Sequence, residues 1–271
     1  MKLLRLLITA CLLFLLTGCF QVTTVVRINP DGSGTVEESM LLSKKIVAQI
    51  EEMMQGFAGD NGGKPRHLDL FEPAKLKEHA RSMGMGVTYN SGKKVETTNY
   101  IGYTATYAFI DINKLKLSQQ SGASTDSNKP KALPLTFSFS KGSPATLTIV
   151  QSKKASGEVP AATEAEQATP GTPPQMSDAN AKKFMELFMG MKFVLAVEMN
   201  GTIVSTNATH REGKRLTIVD FDLAKLGNAG PELEKLSLLK NSSFEEAKEL
   251  LKSVPGIKFD MNDRLTVVFK K

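Results

Sequence analysis

The chain has 271 residues, 41% of them hydrophobic and 23% charged, with a formal charge of +6. That length can bury a core of its own, and two cysteines, Cys11 and Cys19, are too few for a disulfide-stapled scaffold. The lysines fall in scattered pairs (Lys44-Lys45, Lys93-Lys94, Lys153-Lys154, Lys182-Lys183, Lys270-Lys271), which argues against a nucleic-acid patch and leaves a solvated surface or weak attraction to anionic headgroups.

The first eighteen residues have the three parts of a secretory signal: Lys2 and Arg5, an apolar run from Leu6 to Leu16, and the small pair Thr17-Gly18. The run is too short to cross a hydrocarbon layer of about 30 Å as a helix. Leu16-Thr17-Gly18-Cys19 resembles a bacterial lipobox, which implies a diacylglycerol on the Cys19 thiol and cleavage before it. Cys11 then leaves with the signal, residues 1–18, and Cys19 is consumed by lipid. The expectation is a single extracytoplasmic domain, 19–271, anchored through Cys19. Phe20 is not the Asp that favours inner-membrane retention, so an outer membrane is favoured where the host has one. Val22 to Ile28 already reads as a strand, and two or three residues of tether span at most about 10 Å. The body is therefore expected almost on the bilayer.

Asn29 to Gly34 is a cluster of turn residues between two β-prone runs and predicts a hairpin. Its oxygen-bearing residues at 29, 31 and 33 imitate a calcium loop, but the twelfth position is Met40 and the flanks are strands. Ser43 caps a helix carrying Ile46, Ile50, Met53, Met54 and Phe57, and a shorter helix follows Pro73 with Leu76, Ala80 and Met83. Period-two alternation then predicts strands, with Ile101, Tyr103, Ala105, Tyr107 and Phe109 on one face of the first. Leu133, Leu135, Phe137 and Phe139 mark the next, paired with 143–150. Segments 118–131 and 152–175 lack periodicity and predict flexible insertions; the hairpin they bracket is too small to fold alone and must join a larger sheet.

Helix 177–191 precedes a strand with Phe193, Leu195, Val197 and Met199 in phase, and a hairpin through 207–214 leads to a strand at 215–223. A short helix opens at Pro231, a capping box of Ser243 with Glu246 starts another, and 264–271 closes the chain as a strand. The fold expected is α+β: an antiparallel sheet of about eight or nine strands with helices packed on it.

Two stretches, DGSGTVE at 31–37 and GTIVSTNATHREGKRLTI at 201–218, resemble the LppM-like group of envelope lipoproteins. The resemblance implies an α+β exported domain with no established enzymatic activity, associated with the cell envelope. This chain lacks the Trp expected near Val219 and the C-terminal membrane helix of many relatives.

No sequence motif for a hydrolase triad, a phosphate loop or a dinucleotide fold is present. His67, His79 and His210 lack a second histidine at metal-ligand spacing. Asp220 and Asp222 are the best carboxylate pair and the weak candidates for a metal, since residues two apart on a strand share a face. Met53, Met54, Phe57, Phe184, Met185 and Phe188 form either a helical cover for the sheet or an adaptable apolar groove. The reading is a non-catalytic lipoprotein acting as a structural or interaction module, with no cofactor and no nucleic acid. A carrier or sensor of a lipid or other apolar ligand is the alternative, and an unrecognised hydrolase the third. The partners implied are the membrane through Cys19, and a lipid or an envelope protein.

Overall fold

A computed structural model describes residues 19–57, 68–117, 135–151, 190–226 and 254–271, together with 246, 249 and 252; for 53–57 it describes the backbone alone. Strands β1 (Phe20–Ile28) and β2 (Gly34–Ser43) form the expected hairpin, in register from Phe20 opposite Leu42 to Ile28 opposite Gly34. At the turn, Asn29 N–H donates to Ser33 O, and the Ser33 N–H and hydroxyl both donate to Asp31 Oδ1. Gly32 has φ +89, and a Cβ there would meet the Phe139 ring at 2.7 Å. Both facts require glycine.

Helix α1 (Lys44–Phe57) starts at Ser43, whose hydroxyl accepts from Ile46 N–H. Helix α2 (Pro73–Ser82) buries Leu76 and Ala80, with Met83 buried just beyond it. Strands β3 (Thr88–Glu96) and β4 (Tyr100–Phe109) follow, then β5 (Leu135–Ser140), β6 (Ala145–Gln151), β7 (Met191–Met199), β8 (Thr202–Thr206), β9 (Arg211–Glu212), β10 (Arg215–Asp222), β11 (Ile257–Phe259) and β12 (Arg264–Lys270).

The α+β class holds, but the single antiparallel sheet does not. The strands make two sheets, an eight-stranded one in the order β11-β10-β7-β1-β2-β4-β3 with β9 on β10, and a four-stranded one, β5-β6-β12-β8. The β5–β6 hairpin does pair onward, yet into the smaller sheet through β12. The larger sheet contains a parallel pair, β1 with β7, in register from Phe20 beside Met191 to Ile28 beside Met199. Both faces of that pair are covered: Val26, Ile28, Leu195 and Val197 on one side, Val25, Val194 and Ala196 on the other. Such double burial is the habit of parallel strands. The helix expected over 177–191 does not include Met191, which opens β7; residues 177–189, both insertions and the helix expected at Pro231 lie outside the described residues. Glu246, Glu249 and Lys252 are helical, as the capping box predicts.

The main core lies between the sheets. Val36, Tyr107, Phe109 and Leu216 from the larger sheet meet Leu147, Ile149, Leu265 and Phe269 from the smaller, with Leu76, Ala80 and Met83 closing one side. At the Cys19 end of the same face, α1 lays Ile46, Val47 and Ile50 on Phe20, Met40, Leu42 and Ile101. The sheet thus has one long inner face, covered by the small sheet at one end and by α1 at the other.

Candidate functional site

Cys19 belongs to the fold rather than to a tether. Its carbonyl accepts from Ser43 N–H at 2.8 Å, and the next residue, Phe20, donates to Gly190 O at 3.3 Å. A Cβ at position 190 would sit 2.5 Å from both the Cys19 nitrogen and Sγ. Only glycine therefore lets the start of β7 press against the cysteine. The side chain is partly exposed and packs on the Leu42–Ile46–Val47 cluster. A thioether made here would leave the body at the end of the sheet, with no spacer residue between lipid and strand.

A second constellation occupies the inner face between the two cores. Gly34, Val36, Glu38, Met40 and Leu42 share that face of β2, so Glu38 is the one charge in an apolar phase. Its carboxylate lies 3.2 Å from His79 Nε2 on α2 and is 17% exposed, against 43% for the histidine. That hydrogen bond, and the charge behind it, raise the His79 pKa above its ordinary value despite the opposing effect of burial. Tyr107 is fully buried and lies edge-on to both His79 and Tyr89. Burial, and then the Glu38 charge, push the Tyr103 phenol up to about 12 and hold Tyr107 protonated as well. The Tyr107 hydroxyl has no hydrogen-bond partner among the described residues. Glu38 could have been suspected from sequence, as the acid standing in phase with Val36 and Met40; the convergence of α2 on it could not.

Next to this lies a row of half-buried side chains across five strands: Tyr103, Met40, Val22, Phe193 and Phe221, each opposite the next in register. It forms an apolar strip between the main core and the α1 cluster.

Asp220 and Asp222 do share a face, and a bulge decides which one. β10 carries one extra residue between Thr217 and Val219. Leu216 and the extra residue, Ile218, both point to the core, as do Val219 and Phe221 after it, so both acids turn to the opposite face. Asp222 is buried between Lys192 at 3.5 Å and Lys225 at 3.7 Å. One Asp220 oxygen is buried without a hydrogen-bond partner among the described residues. No three His, Cys, Asp or Glu side chains converge as a metal site among the described residues. His210 immediately precedes β9 rather than sitting in its hairpin turn, its carbonyl accepting from Thr217 N–H, and His67 lies outside the described residues. The groove candidates Met53, Met54, Phe57, Phe184, Met185 and Phe188 also have side chains outside them. Among the described residues, no helix is long and apolar enough to cross a membrane.

No family model and no curated protein matches this chain. Among solved structures it is similar to the NMR structure of the Mycobacterium tuberculosis LppM folded domain, at 11% identity and a TM-score of 0.32, over 94% of this chain and 91% of that one.

Proposed function

We propose that this chain is a lipid-anchored, non-catalytic module of the cell envelope, carrying diacylglycerol on Cys19 and docking an envelope protein or wall component at the membrane surface. The observation that supports it is the built-in position of Cys19, bonded to Ser43 and clasped by Gly190 ahead of β1. Two or three acyl chains on one residue hold a protein stably, since each buried methylene contributes about 0.8 kcal/mol. The test is mass spectrometry of the N-terminal peptide from the full chain, expressed with its own signal and taken from the membrane fraction. A diacylglyceryl mass on Cys19 is expected, and Cys19→Ala should leave an uncleaved precursor. A mature chain with a free Cys19 thiol overturns the reading.

The half-buried strip from Tyr103 to Phe221 favours a second reading, a carrier or sensor of an apolar ligand. Such a ligand would lie across the strip with its polar end toward Glu38 and His79. Native mass spectrometry of the detergent-free protein separates the two. A discrete added mass that Phe193→Ala removes favours the carrier; a bare chain favours the docking module.

A further inference from the structure

We infer that the Cys19 end of the large sheet is a membrane-facing rim that recognises anionic lipid headgroups. The inference rests on lipid attachment at Cys19 and goes beyond it, naming the surface that meets the bilayer and the charge it reads. Register brings five strands to one level: Ile101 on β4, Leu42 on β2, Phe20 on β1 and Met191 on β7 stand in one row, and Lys192 stands opposite Asp222 on β10. Lys44 and Lys45 open α1 from this row, and Lys225 follows β10. Among the described residues, four lysines therefore meet two carboxylates, Glu96 and Asp222, at the rim. Lys44 reaches Glu96 at 3.0 Å, while Lys192 and Lys225 share Asp222. Lys45 is exposed and has no ion-pair partner among the described residues. Tyr100, half-buried at the same level, is an amphipathic ring of the kind that settles among headgroups. With lipid on Cys19 the rim is within a Debye length, about 8 Å, of the surface. The opposite end, with the Asp31 turn and the exposed Ile110, is about 30 Å away along strands of nine or ten residues.

The test uses the full lipidated chain in phosphatidylcholine vesicles with and without phosphatidylglycerol. A fluorophore is placed by Thr98→Cys at the rim or Ile110→Cys at the far end, and a headgroup spin label is the quencher. The Thr98 probe should quench several-fold more than the Ile110 probe, and more strongly with phosphatidylglycerol. Lys45→Glu should lower the docked-to-undocked ratio by roughly fivefold or more, on the scale of one surface lysine. Added salt should do the same without touching the fold. Equal quenching at both ends, or a Thr98 signal indifferent to phosphatidylglycerol and salt, overturns the inference. The same preparations are weighed by mass spectrometry. If Cys19 carries no lipid, the proposed function fails on its own, and the rim is judged by flotation of that unanchored chain: binding to phosphatidylglycerol vesicles sustains it, and no binding overturns it.

Discussion

Single residues on the inner face show how chemistry is held there. His79 has a folded pKa raised by Glu38 above an unfolded value of about 6.5. The pair therefore adds stability that is complete below that unfolded value and is lost as pH rises through the folded one. The urea midpoint should fall as pH rises above about 6.5, and His79→Gln should flatten that slope. The effect will be small, because the imidazole is 43% exposed and water screens the pair; a slope unchanged in the variant would assign the titration elsewhere. Tyr107 predicts differently. Among the described residues its buried hydroxyl makes no well-formed hydrogen bond, only an interaction with the Glu38 carboxylate, so Tyr107→Phe should leave stability within about 0.5 kcal/mol or raise it by about 1 kcal/mol. A loss beyond about 1.5 kcal/mol in a denaturant melt would show the hydroxyl to be paired in solution. Sequence phase alone places Tyr103 and Tyr107 on one face, and the structure agrees. It gives no hint that His79, forty-one residues from Glu38 along the chain, completes the group, because that contact depends on how α2 is laid on the sheet.

Among the elements, the loops that join the sheets carry the most specific contacts. Asp260, fully buried, accepts from Thr209 N–H at 2.8 Å and from Asn262 N–H at 3.0 Å, while its own N–H donates to the bulge carbonyl of Ile218. Gln151 donates to the Asp260 and Asn262 carbonyls, so β6, β10, the loop after β8 and the turn before β12 meet at one residue. Asp260→Ala strands those donors and should cost about 2–4 kcal/mol, read as a lowered urea midpoint with an unchanged slope. Hairpins and caps were legible: the Asn29–Gly34 turn, the Ser43 cap and the β5–β6 pair follow from turn chemistry and alternation. Strand β3 was not, because TYNSGKKVE is an edge strand, mostly exposed, and shows no alternation to read. The bulge in β10 is equally silent in the sequence, although it decides which face Asp220 and Asp222 take.

At the scale of the whole molecule, the link between β1 and β7 organises everything else. It joins residues 171 positions apart, such as Arg27 and Glu198, which form an ion pair, with Arg27 also paired to Glu37 and Glu198 to Arg215. Local periodicity cannot announce a parallel neighbour so distant, nor tell whether an amphipathic strand joins one sheet or a second; hence the small sheet was missed. The same link sets Gly190 against Cys19, so the geometry of the proposed anchor and the fold are one construction. A tether should uncouple them. Ten Gly/Ser residues inserted between Cys19 and Phe20, the last of them offering Ser43 its backbone carbonyl, have a root-mean-square span of about 17 Å. That is about twice the Debye length, so the rim lysines would spend most of their time beyond the headgroup field. The lipid mass should stay unchanged and the thermal midpoint should drop only by the loss of the Cys19 packing, while the quenching of a Thr98→Cys probe falls toward that of the far end. Full quenching despite the tether would mean that the rim binds the surface without help from its anchor, and that the absence of a spacer serves some purpose other than bringing those lysines to the bilayer.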